Sequence, residues 1–121
     1  MATTIEIFKF EKEVEHYAAG DTIFSAGDEG KFMYVIQAGE VEVDAHDRVI
    51  DRLGPGQIFG ETALIDHSPR TATVRAISEC RVVPLDEQRF MNHVHRTPFF
   101  AIQVMRIMNE RLRQRMSDIG S

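Results

Sequence analysis

Seven of the eight glycines fall between Gly20 and Gly60, and they cut that stretch into short runs rich in Val, Ile, Phe, Tyr and Thr. Turn residues at such close intervals leave no room for long helices. Runs of β-branched and aromatic residues between them suit strands of an antiparallel sandwich, roll or barrel. The pattern predicts strands near residues 14–19, 22–25, 32–38, 40–44, 48–53, 71–77 and 80–85. Val41-Glu42-Val43-Asp44 alternates apolar and charged residues, as expected of a strand with one wet face. Gly39 supplies the turn that opens that hairpin arm. The first dozen residues mix acids, lysines and phenylalanines, and they fit a short helix or an arm.

Beyond Pro84 the chemistry changes. Asp86 and Glu87 suit the positive end of a helix dipole, and Phe90, Met91 and Val94 form an apolar stripe along the turns that follow. Pro98 opens a second helix at a position where proline is tolerated. Along it Ala101, Met105, Met108 and Leu112 recur at spacings of four, three and four, and Ile102 widens the stripe. Arg111, Arg113 and Arg115 gather late, where they complement the negative end of the dipole. The stripe either packs on the sheets or serves as a lid or a dimer seam, and its flexible methionines fit a surface that repacks. The tail from Ser117 to Ser121 is expected to fray.

The densest chemistry lies in Phe59-Gly60-Glu61-Thr62-Ala63-Leu64-Ile65-Asp66-His67-Ser68-Pro69-Arg70-Thr71-Ala72-Thr73-Val74. A glycine turn leads to an acid, a short helical turn of small and apolar residues, an arginine and a β-branched strand. The guanidinium of Arg70 offers a planar fork of donors for phosphate oxygens. Backbone N–H groups at Thr62 and Ala63, at the start of the short helix, would point at the same anion. Ala63 is small enough to let a ligand approach the backbone, while Leu64 and Ile65 read as core anchors. Glu61 would repel an anion, so its carboxylate is assigned to a ribose hydroxyl. Thr71 can donate its hydroxyl to the phosphate or to a purine edge. The plainer alternatives are a loop arginine for Arg70, a dipole-favouring acid for Glu61 and a turn glycine for Gly60. The last two hold equally well beside a binding role.

These residues resemble the phosphate-binding cassette of the cyclic nucleotide-binding domain family, as found in the catabolite activator and in protein kinase regulatory subunits. The family pattern runs F-G-E-x-A-L, a variable stretch, then P-R-x-A-T-V, and Arg70 stands nine residues after Glu61 as that pattern requires. Ala18 to Phe24, Gly27 to Gly30, Met33 to Val41 and Leu53 to Phe59 resemble the family's turns and central hairpin, so the likeness covers roughly residues 14 to 115. It implies a mainly β fold with flanking helices. The expected fold is an antiparallel β-roll, a jelly-roll-like barrel of about eight strands, interrupted by a short cassette helix and followed by two C-terminal helices. The expected layout is a single domain over residues 1–121, with the roll at about 14–85 and the helices at about 86–116.

The implied ligand is a cyclic nucleotide, cAMP in preference to cGMP, held by Gly60, Glu61, Thr62, Ala63, Arg70, Thr71 and Ala72. A hydroxyl after the arginine, here Thr71, is associated in the family with a syn guanine, although domains that prefer adenine carry one too. The final helix commonly moves over the base, which makes Met105, Met108, Asn109 and Leu112 the lid candidates. The resemblance implies a regulatory sensor, stand-alone or excised, that signals through a protein partner or a homodimer formed by the C-terminal helix. The alternative is a scaffold domain of the same fold without ligand.

The rest of the composition narrows the field. Fourteen basic against nineteen acidic residues leave a net charge of −5, which disfavours nucleic acid as a partner. An anionic ligand entering such a chain needs a positioned cation. The lone Cys80 has no partner for an internal disulfide and reads as a small buried hydrophobe, so a reducing, cytoplasmic setting is expected. No basic-then-apolar start is present, and the longest apolar run, Phe99 to Met108, is broken by Gln103 and Arg106. No membrane contact is therefore expected. His93 and His95 sit two apart in a helical run and point different ways; His16, His46 and His67 are isolated, so no metal is expected. No nucleophile–base pair and no G-x-x-x-x-G-K-S/T loop is present, and neither an enzyme nor a triphosphate site is expected.

Overall fold

A computed structural model describes residues 3–120, with side chains described to Ser117. The chain runs β1 (Glu15–Tyr17), β2 (Thr22–Phe24), β3 (Met33–Ala38), β4 (Val41–Ala45), β5 (Arg48–Leu53) and β6 (Ile58–Phe59). Helix α1 (Glu61–Asp66) follows, then β7 (Thr73–Ala76), β8 (Cys80–Leu85), α2 (Glu87–Arg96) and α3 (Phe99–Gly120). The strands form two four-stranded antiparallel sheets, ordered β1-β8-β3-β6 and β2-β7-β4-β5. They face each other as a roll and do not close into a barrel. β6 joins the seven strands expected from the pattern: with two residues, both buried, it has no alternation to read.

The centre of the first sheet is buried on both faces, which explains why β3 opens on four consecutive buried residues, Met33 to Ile36. Tyr34, Ile36 and Val82 face Val41, Leu53 and Val74 of the second sheet. Met33, Val35, Val83 and Leu85 face the other way, against Phe8, Phe100, Val104 and Ile107. β4 keeps one half-wet face, as its alternation requires. The N-terminal segment is a docked arm with a turn at residues 7–10: Ile5 and Phe8 are buried, and the Ile5 N–H donates to the Gly56 carbonyl at 2.7 Å. Thr3 ties that arm to α3, its N–H and hydroxyl both donating to Glu110.

Helix α2 starts at an aspartate cap: the Asp86 carboxylate accepts the Arg89 N–H at 2.8 Å. Phe90 and Val94 pack on the core, whereas Met91, assigned to the same stripe, is 55% exposed. The stripe expected on α3 is displaced by one residue. Phe100, Val104 and Ile107 face the core, Ala101 and Met108 flank them half-buried, and Met105 and Leu112 lie exposed. One residue is a 100° rotation of the helix, so the same four-three-four spacing lands on the other set. The tail expected to fray is helical to Gly120; Ser121 lies outside the described residues. Among the described residues no helix is long and apolar enough to cross a membrane.

Gly39 turns β3 into β4 at φ 88°, and a Cβ there would fall on the Glu79 carbonyl and 2.8 Å from Cys80 Sγ. Gly39→Ala should therefore cost about 1–3 kcal/mol, from left-handed strain and the displaced β8 backbone. Urea unfolding reads this directly, and an unchanged midpoint would show that the turn tolerates a side chain.

Candidate functional site

The turn between β6 and α1 is built on Gly60 at φ 80°, where a Cβ would stand 2.7 Å from Arg70 Nη1. Glycine is required here by conformation and by space. Gly60 also offers no side chain to cap α1, leaving the first-turn N–H groups to another acceptor. Leu64 and Ala63 seat the helix, being 6% and 3% exposed. Ile65, expected as a second anchor, is 51% exposed, because a six-residue helix turns only one side to the sheet. His67 ends the helix in the left-handed region, donating its N–H to the Ala63 carbonyl.

Arg70 is placed by the loop before β3. Its N–H donates to the Asp28 carbonyl, and its own carbonyl accepts from Gly27, both at 2.8 Å. The guanidinium lies 3.9 Å over the Phe24 ring, and Nη1 and Nη2 donate to the carbonyls of Gly60 (3.0 Å) and Phe32 (2.7 Å). Gly30 makes room: a Cβ there would strike Ala63 and stand 3.0 Å from Arg70 Nε. Arg70 is only 7% exposed, and burial pushes its pKa down, opposed by Tyr34, Asp28 and Glu61. Its Nε has no hydrogen-bond partner, and among the described residues no carboxylate pairs with it. A buried cation without a counter-ion is costly, and an anion entering the cavity would offset that cost.

Glu61 is equally buried, at 7%, and pairs with Arg111 of α3, which donates to its carboxylate and to the Ile58 carbonyl. The carboxylate assigned to a ribose hydroxyl is thus engaged by an arginine assigned only to the helix dipole. Arg111 follows Phe100, Val104 and Ile107 at spacings of four, three and four, and that buried register is the signal that would have found it.

A cavity of about 260 Å³ lies between these groups, near the lower end of the roughly 300–1,000 Å³ of small-molecule pockets. All seven residues expected at the site line it: Gly60, Glu61, Thr62, Ala63, Arg70, Thr71 and Ala72. Phe24, Val43, Leu53 and Val74 form its apolar floor. The far wall belongs to α3, through Met108, Arg111, Leu112 and Arg115. Of the four lid candidates, Met108 and Leu112 are in this wall, and Met105 and Asn109 are not. Asp51 of β5 also lines the cavity and carried no signal in the sequence. Among the described residues no three His, Cys, Asp or Glu side chains converge as metal ligands. Cys80 is buried at 3%, away from this cavity.

Comparison with known proteins bears on the same segment. The profile of the cyclic nucleotide-binding domain matches residues 14–97. A CRP-like cAMP-activated global transcriptional regulator of Mycobacterium tuberculosis is 28% identical over 109 residues, covering 86% of this chain and 49% of the regulator. A cAMP-dependent protein kinase regulatory subunit of Eremothecium gossypii is 39% identical over 71 residues, covering 59% of this chain and 16% of the subunit. The crystal structure of Thermus thermophilus catabolite activator protein superposes with a TM-score of 0.80 at 27% identity, over 89% of this chain and 54% of that one. The chain spans about half the length of the first of these relatives, or less of the second.

Proposed function

The chain belongs to the cyclic nucleotide-binding domain family, and from that premise we propose that it is a regulatory sensor that binds a cyclic nucleotide reversibly, cAMP in preference to cGMP. The whole of residues 1–121 acts as one sensor domain in this reading, in a cytoplasmic setting, without a metal and without catalysis. The observation that carries it is Arg70: buried and, among the described residues, without a paired carboxylate or a partner for its Nε. The exocyclic phosphate oxygens meet that guanidinium and the N–H groups of Thr62 and Ala63. Glu61 accepts from the ribose 2′-hydroxyl, and Thr71 and Ala72 close the phosphate side. The preference for cAMP rests on relatives named as cAMP-activated or cAMP-dependent.

Signalling works as a population shift. Arg111 holds α3 against the cassette by occupying Glu61. A ribose hydroxyl that takes the same carboxylate loosens that pair and lets α3 reposition over the base. The ligand moves the equilibrium only by its differential affinity for the two arrangements; a shift from 1:99 to 99:1 needs about 10⁴-fold. The output passes to a protein partner or a second copy through the exposed side of α3. Ile102, Met105, Leu112 and Met116 stand there at heptad spacing, with Asn109 between.

Titration calorimetry with cAMP and with cGMP tests the reading. Binding of both, tighter for cAMP, is expected. No heat with either ligand from folded protein would favour the ligand-free scaffold.

A further inference from the structure

His93 stands where the N-terminal arm, α2 and α3 meet. Its ring makes a T-shaped contact with Phe8 of the arm, 4.6 Å between centroids, and a second with Phe100 of α3 at 6.3 Å. Both phenyl rings are fully buried. The arm is held at this corner through its backbone as well: Gln37 Nε2 donates to the carbonyls of Phe8 (3.0 Å) and Glu11 (2.9 Å). His93 itself is half-buried, and Arg96 Nη2 lies 3.5 Å from its Nδ1. A guanidinium only donates, so Nδ1 keeps its lone pair and the ring is neutral, with its proton on Nε2.

Protonation of Nδ1 would turn that contact into two facing cations. Burial against the phenyl rings holds the His93 pKa below the ordinary value of about 6.5, Arg96 and Arg89 push the same way, and Glu11 opposes them. The charges that act on the ring are thus two from its own helix and one from the arm, while α3 meets it with Phe100. Arg89 is shared with Glu13 of the arm at 3.8 Å and with the Pro84 carbonyl. The negative end of α2 favours a cation, and Arg96 already supplies one.

We propose that His93 is a proton-operated catch for the N-terminal arm: neutral, it lets Phe8 seat against α2 and α3, and protonated, it releases the arm. The docked arm binds the proton less readily than the free one. Docking is therefore strongest above the ordinary histidine range and weakens as pH falls through it. A single proton limits the size of the effect. Between roughly pH 7.5 and 5.5 the docked-to-free ratio falls several-fold, and by about tenfold at most. Thr3 of the arm holds Glu110, the neighbour of Arg111, so release also removes one restraint on the α3 wall of the cavity. The catch needs no ligand.

Amide hydrogen exchange, corrected for the intrinsic rate at each pH, reads arm docking through the N–H of Ile5, which donates to the Gly56 carbonyl, and through those of Lys9 and Glu11. The amides of β3 and β8 report that the roll stays folded. Wild type should lose protection several-fold in the arm between roughly pH 7.5 and 5.5, with β3 and β8 still protected. The NMR titration of the His93 ring should have its midpoint below about 6.5. His93→Gln, neutral throughout, should make arm protection independent of pH over that range. His95→Gln, exposed and two residues along, should behave as wild type. Arm protection that stays flat with pH in wild type would overturn the proposal. So would a fall that His93→Gln reproduces, or a His93 midpoint at or above about 6.5, which is read without any variant.

Discussion

Arg70→Ala is expected to weaken cyclic nucleotide binding at least tenfold. The charge-assisted contact it removes is buried, and losing such a contact costs roughly 2–5 kcal/mol. The other arginines that line the cavity, Arg111 and Arg115, stand on the α3 wall and not in the cassette, so neither takes its place. The mutation also strips the Gly60 and Phe32 carbonyls of their donor, so thermal melts must accompany the titrations to show that the cassette still folds. Arg70→Lys separates charge from geometry. A lysine keeps the cation but lacks the fork that can hold both carbonyls and leave Nε for phosphate, so it should fall between wild type and alanine. Equal affinity of wild type and Arg70→Ala, with both folded, would mean that the phosphate is held elsewhere.

Phe100→Ala should destabilise the fold by about 3–5 kcal/mol, the usual cost of emptying a buried aromatic site. The ring is fully buried and meets Phe8 at 5.6 Å and Phe90 at 5.3 Å between centroids, so arm, α2 and α3 converge on it. Phe100 also seats the register that brings Arg111 to Glu61, so the mutation should loosen the wall of the cavity as well as the core. Urea unfolding measures the loss as a lower midpoint at similar slope. A loss below about 1 kcal/mol would place the anchor of α3 elsewhere.

The roll was readable because its signals are local. Glycines at turns, β-branched runs and the contiguous cassette each announce themselves within a few residues, and the strands expected from them overlap those observed. The α3 register was not. Two stripes of identical spacing run along that helix, one through Met105 and Leu112 and one through Val104 and Ile107. Periodicity cannot choose between them; only the surface offered by Met33, Val35 and Val83 does. The buried arm residues Ile5 and Phe8 were unreadable for the same reason, since the groove that receives them is made by distant segments. At the site, the residues within one stretch of chain emerged together. Gly30, Asp51 and Arg111 join them across long sequence separations, and nothing near any of the three advertises a pocket.

A crystal structure with cAMP bound tests the central claim most directly. The phosphate oxygens should lie about 3 Å from Arg70 Nε and from the N–H groups of Thr62 and Ala63, with the ribose 2′-hydroxyl donating to Glu61. A bound nucleotide whose phosphate makes no contact with Arg70, or whose ribose faces away from Glu61, would contradict it.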